Sequence, residues 1–368
     1  MNDPVFFTRL VRSLPTTVPF VGPETLARRS GRAFKVRLGA NESAFGVSPK
    51  AQEAMRETIK RVSWYNDPDN YEIRAAVAAF HGMPFENVGI GSGIDDLLGL
   101  VVRIFMEQGE TAVTSLGAYP TFNYHVTGFG GSLHFVPYRD DRNDLEALAD
   151  AAAETGARLV YLSNPDNPAG TWHVSRDLEA FVDRLPEGCI LILDEAYVEF
   201  ATDEAVLPLD PVDPRVIRMR TFSKVHGMAG ARIGYAIAAA EIVNAFEKVR
   251  HHFGVNRIAQ AGALASLGDP DFVARVVEAV AEGRREYEAL GRELGLPTLP
   301  SGTNFVSFDA GDADRAEWMV GTLLERGAFV RKPGAPPLDR CFRVTVGTAP
   351  EREAFAEILR EVVEIEES

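Results

Sequence analysis

Short apolar runs alternate with stretches of helical period through the first two thirds of the chain. Runs at 88–90, 111–114, 132–136, 159–162, 189–193, 216–220 and 232–238 have the length and composition of strands, and those at 159–162 and 189–193 lack the polar alternation of a half-exposed sheet. Helical period marks 49–61 and 71–81. This alternation predicts an α/β fold, with a mostly parallel central sheet covered by helices on both faces. The pattern changes after residue 250. A long charged amphipathic helix is expected over 272–294, short strands over 304–308, 328–332 and 342–346, and a closing helix over 350–366. The predicted organisation is an N-terminal arm with part of the small domain at 1–45, including a short strand at 34–38. A large α/β domain follows at 46–250 and a smaller α+β domain at 251–368. No internal repeat or low-complexity tract interrupts it.

Polar residues of chemical interest lie where the apolar runs stop. The run 189–193 ends in Asp194-Glu195-Ala196-Tyr197. Ligands of open α/β sheets bind outside the carboxyl ends of the strands, so Asp194 is expected beside a ligand. There it can keep a pyridine nitrogen protonated, or simply cap the next segment. The run 159–162 leads into Ser163-Asn164-Pro165-Asp166-Asn167-Pro168-Ala169-Gly170, a turn by composition. Ser223-Lys224, followed eight positions later by Arg232, suits an amine nucleophile beside a phosphate cradle, as in a pyridoxal-phosphate enzyme; a solvated loop is the alternative. Gly91-Ser92-Gly93-Ile94-Asp95 follows a predicted strand and opens an apolar-periodic segment, which makes the amides of Gly93, Ile94 and Asp95 a candidate anion cradle.

Composition narrows the function classes. A length of 368 residues exceeds one ordinary core, and 46% hydrophobic with 25% charged residues is globular. No stretch approaches a membrane span and 1–20 lacks the pattern of a signal peptide, so a cytoplasmic protein is expected. Two cysteines, Cys189 and Cys341, support neither a disulfide framework nor a metal site. A net charge of −15 argues against nucleic acid as partner, and means that an anionic substrate needs locally placed arginines.

Taken in order, N-P-x-N-P-x-G at 164–170, D-E-A-Y at 194–197 and S-K-x-x-G-x-x-G-x-R at 223–232 resemble the fold-type I pyridoxal-phosphate enzymes, specifically the class I and II aminotransferases. The resemblance is greatest to the histidinol-phosphate aminotransferases and covers nearly the whole chain. It implies pyridoxal 5'-phosphate as cofactor, amino and oxo-acid substrates, and a homodimer with shared active sites. Lys224 would hold the cofactor and carry the proton, Asp194 would pair with its ring nitrogen, and Asn167 and Tyr197 would bond its phenolic oxygen. Gly93, Ile94, Asp95, Ser223 and Arg232 would take its phosphate, with Tyr65 reaching across the dimer to the neighbouring one. Phe122 matches the ring stacked on the pyridine, with Tyr119 and Tyr124 as neighbours if the register differs. For substrate, Arg343 matches a carboxylate-binding arginine and Arg331 a second arginine used on a substrate phosphate, while Asn41 and Asn304 lie near the same pocket. Relatives usually carry Ser at the position of Ile94 and Pro at that of Asn66. Their Y-x-P-G has no clean equivalent in Thr17-Val18-Pro19-Phe20, and His226 and Met228 replace commoner residues. These departures leave open an aromatic amino-acid aminotransferase, and the motifs do not separate a transaminase from a pyridoxal-phosphate decarboxylase of a phosphorylated amino acid. Joint retention of Lys224, Asp194, Asn167, Tyr197 and Arg232 disfavours a non-catalytic scaffold.

Overall fold

Eleven strands are found among residues 6–16, 21–31, 33–208 and 213–366, which the computed structural model describes. They are β1 (Val36–Arg37), β2 (Val88–Gly91), β3 (Thr111–Ser115), β4 (Ser132–Val136), β5 (Leu159–Ser163), β6 (Ile190–Asp194), β7 (Val216–Thr221), β8 (Gly234–Ile237), β9 (Phe305–Asp309), β10 (Ala328–Phe329) and β11 (Cys341–Thr345). Thr17, Val18, Pro19 and Phe20, where the family's N-terminal motif would fall, lie outside the described residues.

Seven strands form the central sheet in the order β2-β8-β7-β6-β5-β3-β4. Pairing is parallel from β4 through β7, and β8 runs antiparallel to both of its neighbours. The continuous apolar character of β5 and β6 follows from burial on both faces. Leu159, Tyr161, Ile190 and Ile192 enter one core, and the alternate residues Val160, Leu162, Leu191 and Leu193 enter another. The helices Ile94–Phe105 and Leu145–Thr155 supply apolar faces to these two cores.

Register then aligns the functional ends. Ser163 pairs with Asp194, Asp194 with Met219, and Gly234 with both Thr221 and Gly91. The turn after β5, the end of β6, the loop after β7, the approach to β8 and the helix start after β2 therefore meet along one edge. Outside the sheet, β9 pairs antiparallel with β11, and β1 pairs parallel with β10. The helices Pro270–Glu293, Ala313–Glu325 and Ala349–Glu366 bury apolar faces around these strands.

Three predicted strands are shorter than expected, the one at 34–38 being limited to Val36–Arg37. The 232–238 run is extended only from Gly234, because Arg232 has φ 60°, in the left-handed region. The 328–332 run ends at Phe329, and Arg331 makes only an isolated bridge to Arg343 before Pro333, which has no N–H for a ladder.

Beneath the aligned ends lies a buried charge cluster. Arg218 and Arg220, both on β7, donate to the Glu195 carboxylate, the Arg220 Nε contact being 2.9 Å. Burial alone would raise the Glu195 carboxyl; the two guanidiniums outweigh it and hold it below the ordinary carboxylate range. Glu195→Ala leaves two buried guanidiniums uncompensated, with an expected stability loss of about 3–5 kcal/mol by urea denaturation. A loss within the range of surface substitutions would contradict this.

Candidate active site

The aligned edge opens onto a cavity of about 860 Å3. Asp194, Asn167, Tyr197, Ser223, Lys224 and Arg232 line it from the sheet side, with Ile94 and Asp95 at the helix start. Asn41, Arg331 and Arg343 line it from the side of the small sheets.

Asp194 is 4% exposed. Its Oδ2 accepts from the Tyr161 hydroxyl at 2.7 Å and its Oδ1 from the Ala196 amide at 3.0 Å. Burial pushes its carboxyl up to about 6, against the lowering effect of those two hydrogen bonds. A buried carboxylate of this kind suits a cationic partner in the cavity.

The Lys224 ammonium donates to the Asn41 carbonyl at 3.0 Å and sits 5.3 Å from the centre of the Tyr197 ring. The Tyr197 hydroxyl accepts from Asn41 Nδ2 at 3.0 Å and Asn167 Nδ2 at 3.3 Å, which leaves its own proton to donate into the cavity. Asn167 Oδ1 in turn accepts from Arg343 Nη1. Asn41 itself has φ 53°, a conformation that asparagine tolerates, and its amide donates to Thr345 Oγ1 at 3.0 Å. The lysine loop is held from outside as well. Gly227 has φ 70°, and a Cβ there would lie 1.8 Å from the Gly46 carbonyl oxygen, so only glycine permits this approach.

A candidate anion site is built from backbone and one arginine. The helix Ile94–Phe105 presents its unpaired first-turn amides to the cavity, as an anion site requires. Arg232 crosses over Gly93, where a Cβ would lie 2.5 Å from Nη2, so the guanidinium reaches this position only over a glycine. Ser223 Oγ accepts from Thr221 Oγ1 at 2.9 Å, which leaves the Ser223 proton for another acceptor. An anion cradle, a reactive amine and a buried carboxylate facing one cavity fit a phosphorylated pyridine aldehyde. Among the described residues no cluster suits a metal ion.

Four predicted residues are not on the cavity wall. Phe122 is fully buried and stacks on Tyr161 at 5.1 Å, so the expectation that it covers the pyridine is corrected. The reason is helical geometry: the helix Thr121–Phe129 turns Phe122 toward the core, while Tyr119, in the turn before it, faces the cavity. The Tyr119 hydroxyl is fixed by Asp95 Oδ1 at 3.0 Å. Asn304 lies behind Asn41, donating to its carbonyl at 3.2 Å. Gly93 acts through the clearance it gives Arg232. Tyr65 is 79% exposed, pairs with the Phe253 ring at 4.7 Å and reaches no part of this chain's own cavity.

Sequence reasoning passed over Tyr161, and also the buried support of the turn after β5. There Asp166 accepts from the Tyr138 hydroxyl, Asn143 Nδ2 and the Ala169 amide, which fixes the path that presents Asn167.

A family model described as aminotransferase class I and II matches residues 34–359. Histidinol-phosphate aminotransferase 2 of Carboxydothermus hydrogenoformans is 33% identical over 363 residues, spanning 97% of this chain and 99% of that protein. The histidinol-phosphate aminotransferase of Symbiobacterium thermophilum is 35% identical over 353 residues, spanning 95% and 96%. The crystal structure of histidinol-phosphate aminotransferase from Sinorhizobium meliloti in complex with pyridoxal-5'-phosphate aligns with a TM-score of 0.95 at 45% identity, over 98% of this chain and 99% of that one.

Proposed function

The chain belongs to the class I and II aminotransferases, enzymes dependent on pyridoxal 5'-phosphate, and on that premise we propose that it moves the amino group of histidinol phosphate to an oxo-acid such as 2-oxoglutarate. One observation carries the substrate assignment. Arg331 and Arg343 face each other across an antiparallel bridge, Arg343 N donating to Arg331 O at 2.6 Å, and both line the cavity. Opposed residues of such a bridge project to the same side, so two guanidiniums stand at a fixed spacing beyond Lys224. Such a pair suits a dicarboxylate in one half-reaction and an amine bearing a phosphate in the other.

When bound, pyridoxal phosphate supplies the electron sink that lets the proton on the amine-bearing carbon leave. This chain's residues do the rest. Lys224 would hold the cofactor and, once free, would carry that proton as base and then as acid. Asp194 holds the proton on the ring nitrogen. The hydroxyl of Tyr197 and the amide of Asn167 would stabilise negative charge on the phenolic oxygen, Tyr119 would cover the ring, and Arg232, Ser223 and the helix amides would hold the phosphate. Arg343 orients the carboxylate of the amino or oxo-acid.

The reading includes a cytoplasmic homodimer with the large and small domains divided near residue 250. Ile59, Val62, Trp64, Tyr65 and Phe253 form an exposed apolar face that supports burial against a second copy, with Tyr65 contributing to that copy's site. Both cysteines are buried and unpaired, as suits a reducing compartment. No helix among the described residues is long and apolar enough to cross a membrane.

A single-turnover screen with histidinol phosphate, glutamate, aromatic amino acids and threonine phosphate, read by the absorbance of the bound cofactor, tests the assignment. Fast conversion by histidinol phosphate and glutamate is expected. Conversion by glutamate and aromatics alone moves the protein to the aromatic aminotransferases, and carbon dioxide release without a keto product moves it to the decarboxylases. Arg331→Ala should lower kcat/KM for histidinol phosphate by about 10–100-fold, the value of one charge-assisted contact. An unchanged kcat/KM would remove Arg331 from the substrate site.

A further inference from the structure

We propose that Tyr161 is a positioning residue for amino transfer: its hydroxyl aims the buried Asp194 carboxylate at the ring nitrogen of the cofactor and favours the ionised form. The proposal rests on Asp194 being the partner of that nitrogen.

Strand register makes the contact specific to a long side chain. Tyr161 on β5 pairs with Ile192 on β6, so Asp194 lies two residues further along on the same face. Side chains in that diagonal relation start well apart, and only a long one spans the gap. Tyrosine does so and places its oxygen 2.7 Å from Oδ2. The ring is 1% exposed and stacked on Phe122 at an interplanar angle of 15°, which restricts its swing. The burial of Phe122 thereby acquires a use, since it supports the tyrosine that holds Asp194.

The donor arithmetic leaves room for the cofactor. Each carboxylate oxygen can accept two hydrogen bonds. Oδ2 has one from Tyr161 and Oδ1 one from the Ala196 amide, so the carboxylate is oriented by two donors and can still take a third. The other ionisable groups that act on Asp194 are Lys224, which favours its charge, and Asp95, which opposes it. Asp95 is in turn engaged by the Tyr119 hydroxyl. Glu195, next in sequence, points away into Arg218 and Arg220. Tyr161 is the one side-chain hydrogen bond to this carboxylate among the described residues.

Tyr161→Phe removes the donor and keeps the ring. Replacing Tyr161 with 3-fluorotyrosine keeps the shape and strengthens the donor, so the two changes act in opposite directions. The first readout is infrared titration of the Asp194 carboxyl in the full-length protein stripped of cofactor, assigned by difference against Asp194→Asn. The midpoint is expected to rise by about one pH unit or more in Tyr161→Phe, the value of a hydrogen bond to a charged group, and to fall with fluorotyrosine. The second is release of cofactor from the holoenzyme, expected to be about tenfold faster in Tyr161→Phe, with the acid limb of the kcat profile displaced upward. An unmoved midpoint, or shifts of the same sign in both proteins, would overturn the proposal, because packing damage cannot produce opposite signs. If Tyr161→Phe does not fold, the fluorotyrosine protein decides alone: a lowered midpoint upholds the proposal and an unmoved one defeats it. Unchanged cofactor release in Asp194→Asn would instead defeat the role given to Asp194 and leave the midpoint result standing.

Discussion

Lys224→Ala is expected to lower turnover by about three orders of magnitude or more with every amine that the unaltered protein converts. The size follows from the two tasks assigned to one atom, covalent attachment and proton transfer, the second alone contributing about 10²–10⁴-fold in other systems. Among the described residues no other amine lines the cavity near Asp194; the other lysine on its wall is Lys332, which adjoins Arg331 and is paired with Glu317 at 3.4 Å. The fold should survive, since Lys224 Nζ makes one hydrogen bond, to the Asn41 carbonyl. The cofactor should then be removable by dialysis without a competing amine, and small primary amines added to the buffer should restore part of the activity. Turnover at the unaltered rate would remove Lys224 from the reaction, and loss of the fold measured by circular dichroism would show that its role is structural.

Asp194→Asn is expected to cut kcat by about 10²–10³-fold, the size seen when a preorganised electrostatic contact is removed, with a smaller effect on the binding of the oxo-acid. The same substitution should change stability in the opposite sense. An ordinary aspartate loses its proton near pH 4, whereas burial moves the Asp194 carboxyl up to about 6. Between those values the folded, cofactor-free chain binds more protons than the unfolded one, so the contribution of this group to stability falls as pH rises through that window. Well above pH 6 the full cost is present, and cofactor-free Asp194→Asn should exceed the unaltered protein by about 3 kcal/mol. Denaturant titrations at pH 4 and pH 8 check this. An equal difference at both values would mean that the carboxyl titrates normally.

Much of the fold was legible because buried parallel strands are continuous in sequence. The runs behind β5 and β6 could be read without knowing their partners, and the rule that ligands gather at strand ends then pointed to Asp194, whereas Lys224 was marked by its spacing to Arg232 and Asn167 by the family resemblance. Residues whose role depends on orientation were harder to find. Phe122 and Tyr119 are three positions apart, and which of them faces the cavity depends on where the helix Thr121–Phe129 begins. Tyr161 sits within an apolar run, where an aromatic reads as core; its hydroxyl matters only through the register with β6. Arg232 looked like the first residue of a strand, whereas it has a left-handed backbone and its guanidinium lies over Gly93. Tyr65 lies on an exposed apolar surface away from this chain's cavity, so the role proposed for it depends on a second copy.

Asn41 joins parts that the sequence keeps far apart. Its carbonyl takes the Lys224 ammonium and the Asn304 amide, its side chain reaches Tyr197, and its own amide is held by Thr345 on β11. Lys224 and the strand that bears Arg343 are thereby linked through Asn41. A displacement of β11 would therefore bear, through Thr345 and Asn41, on the carbonyl that takes the Lys224 ammonium.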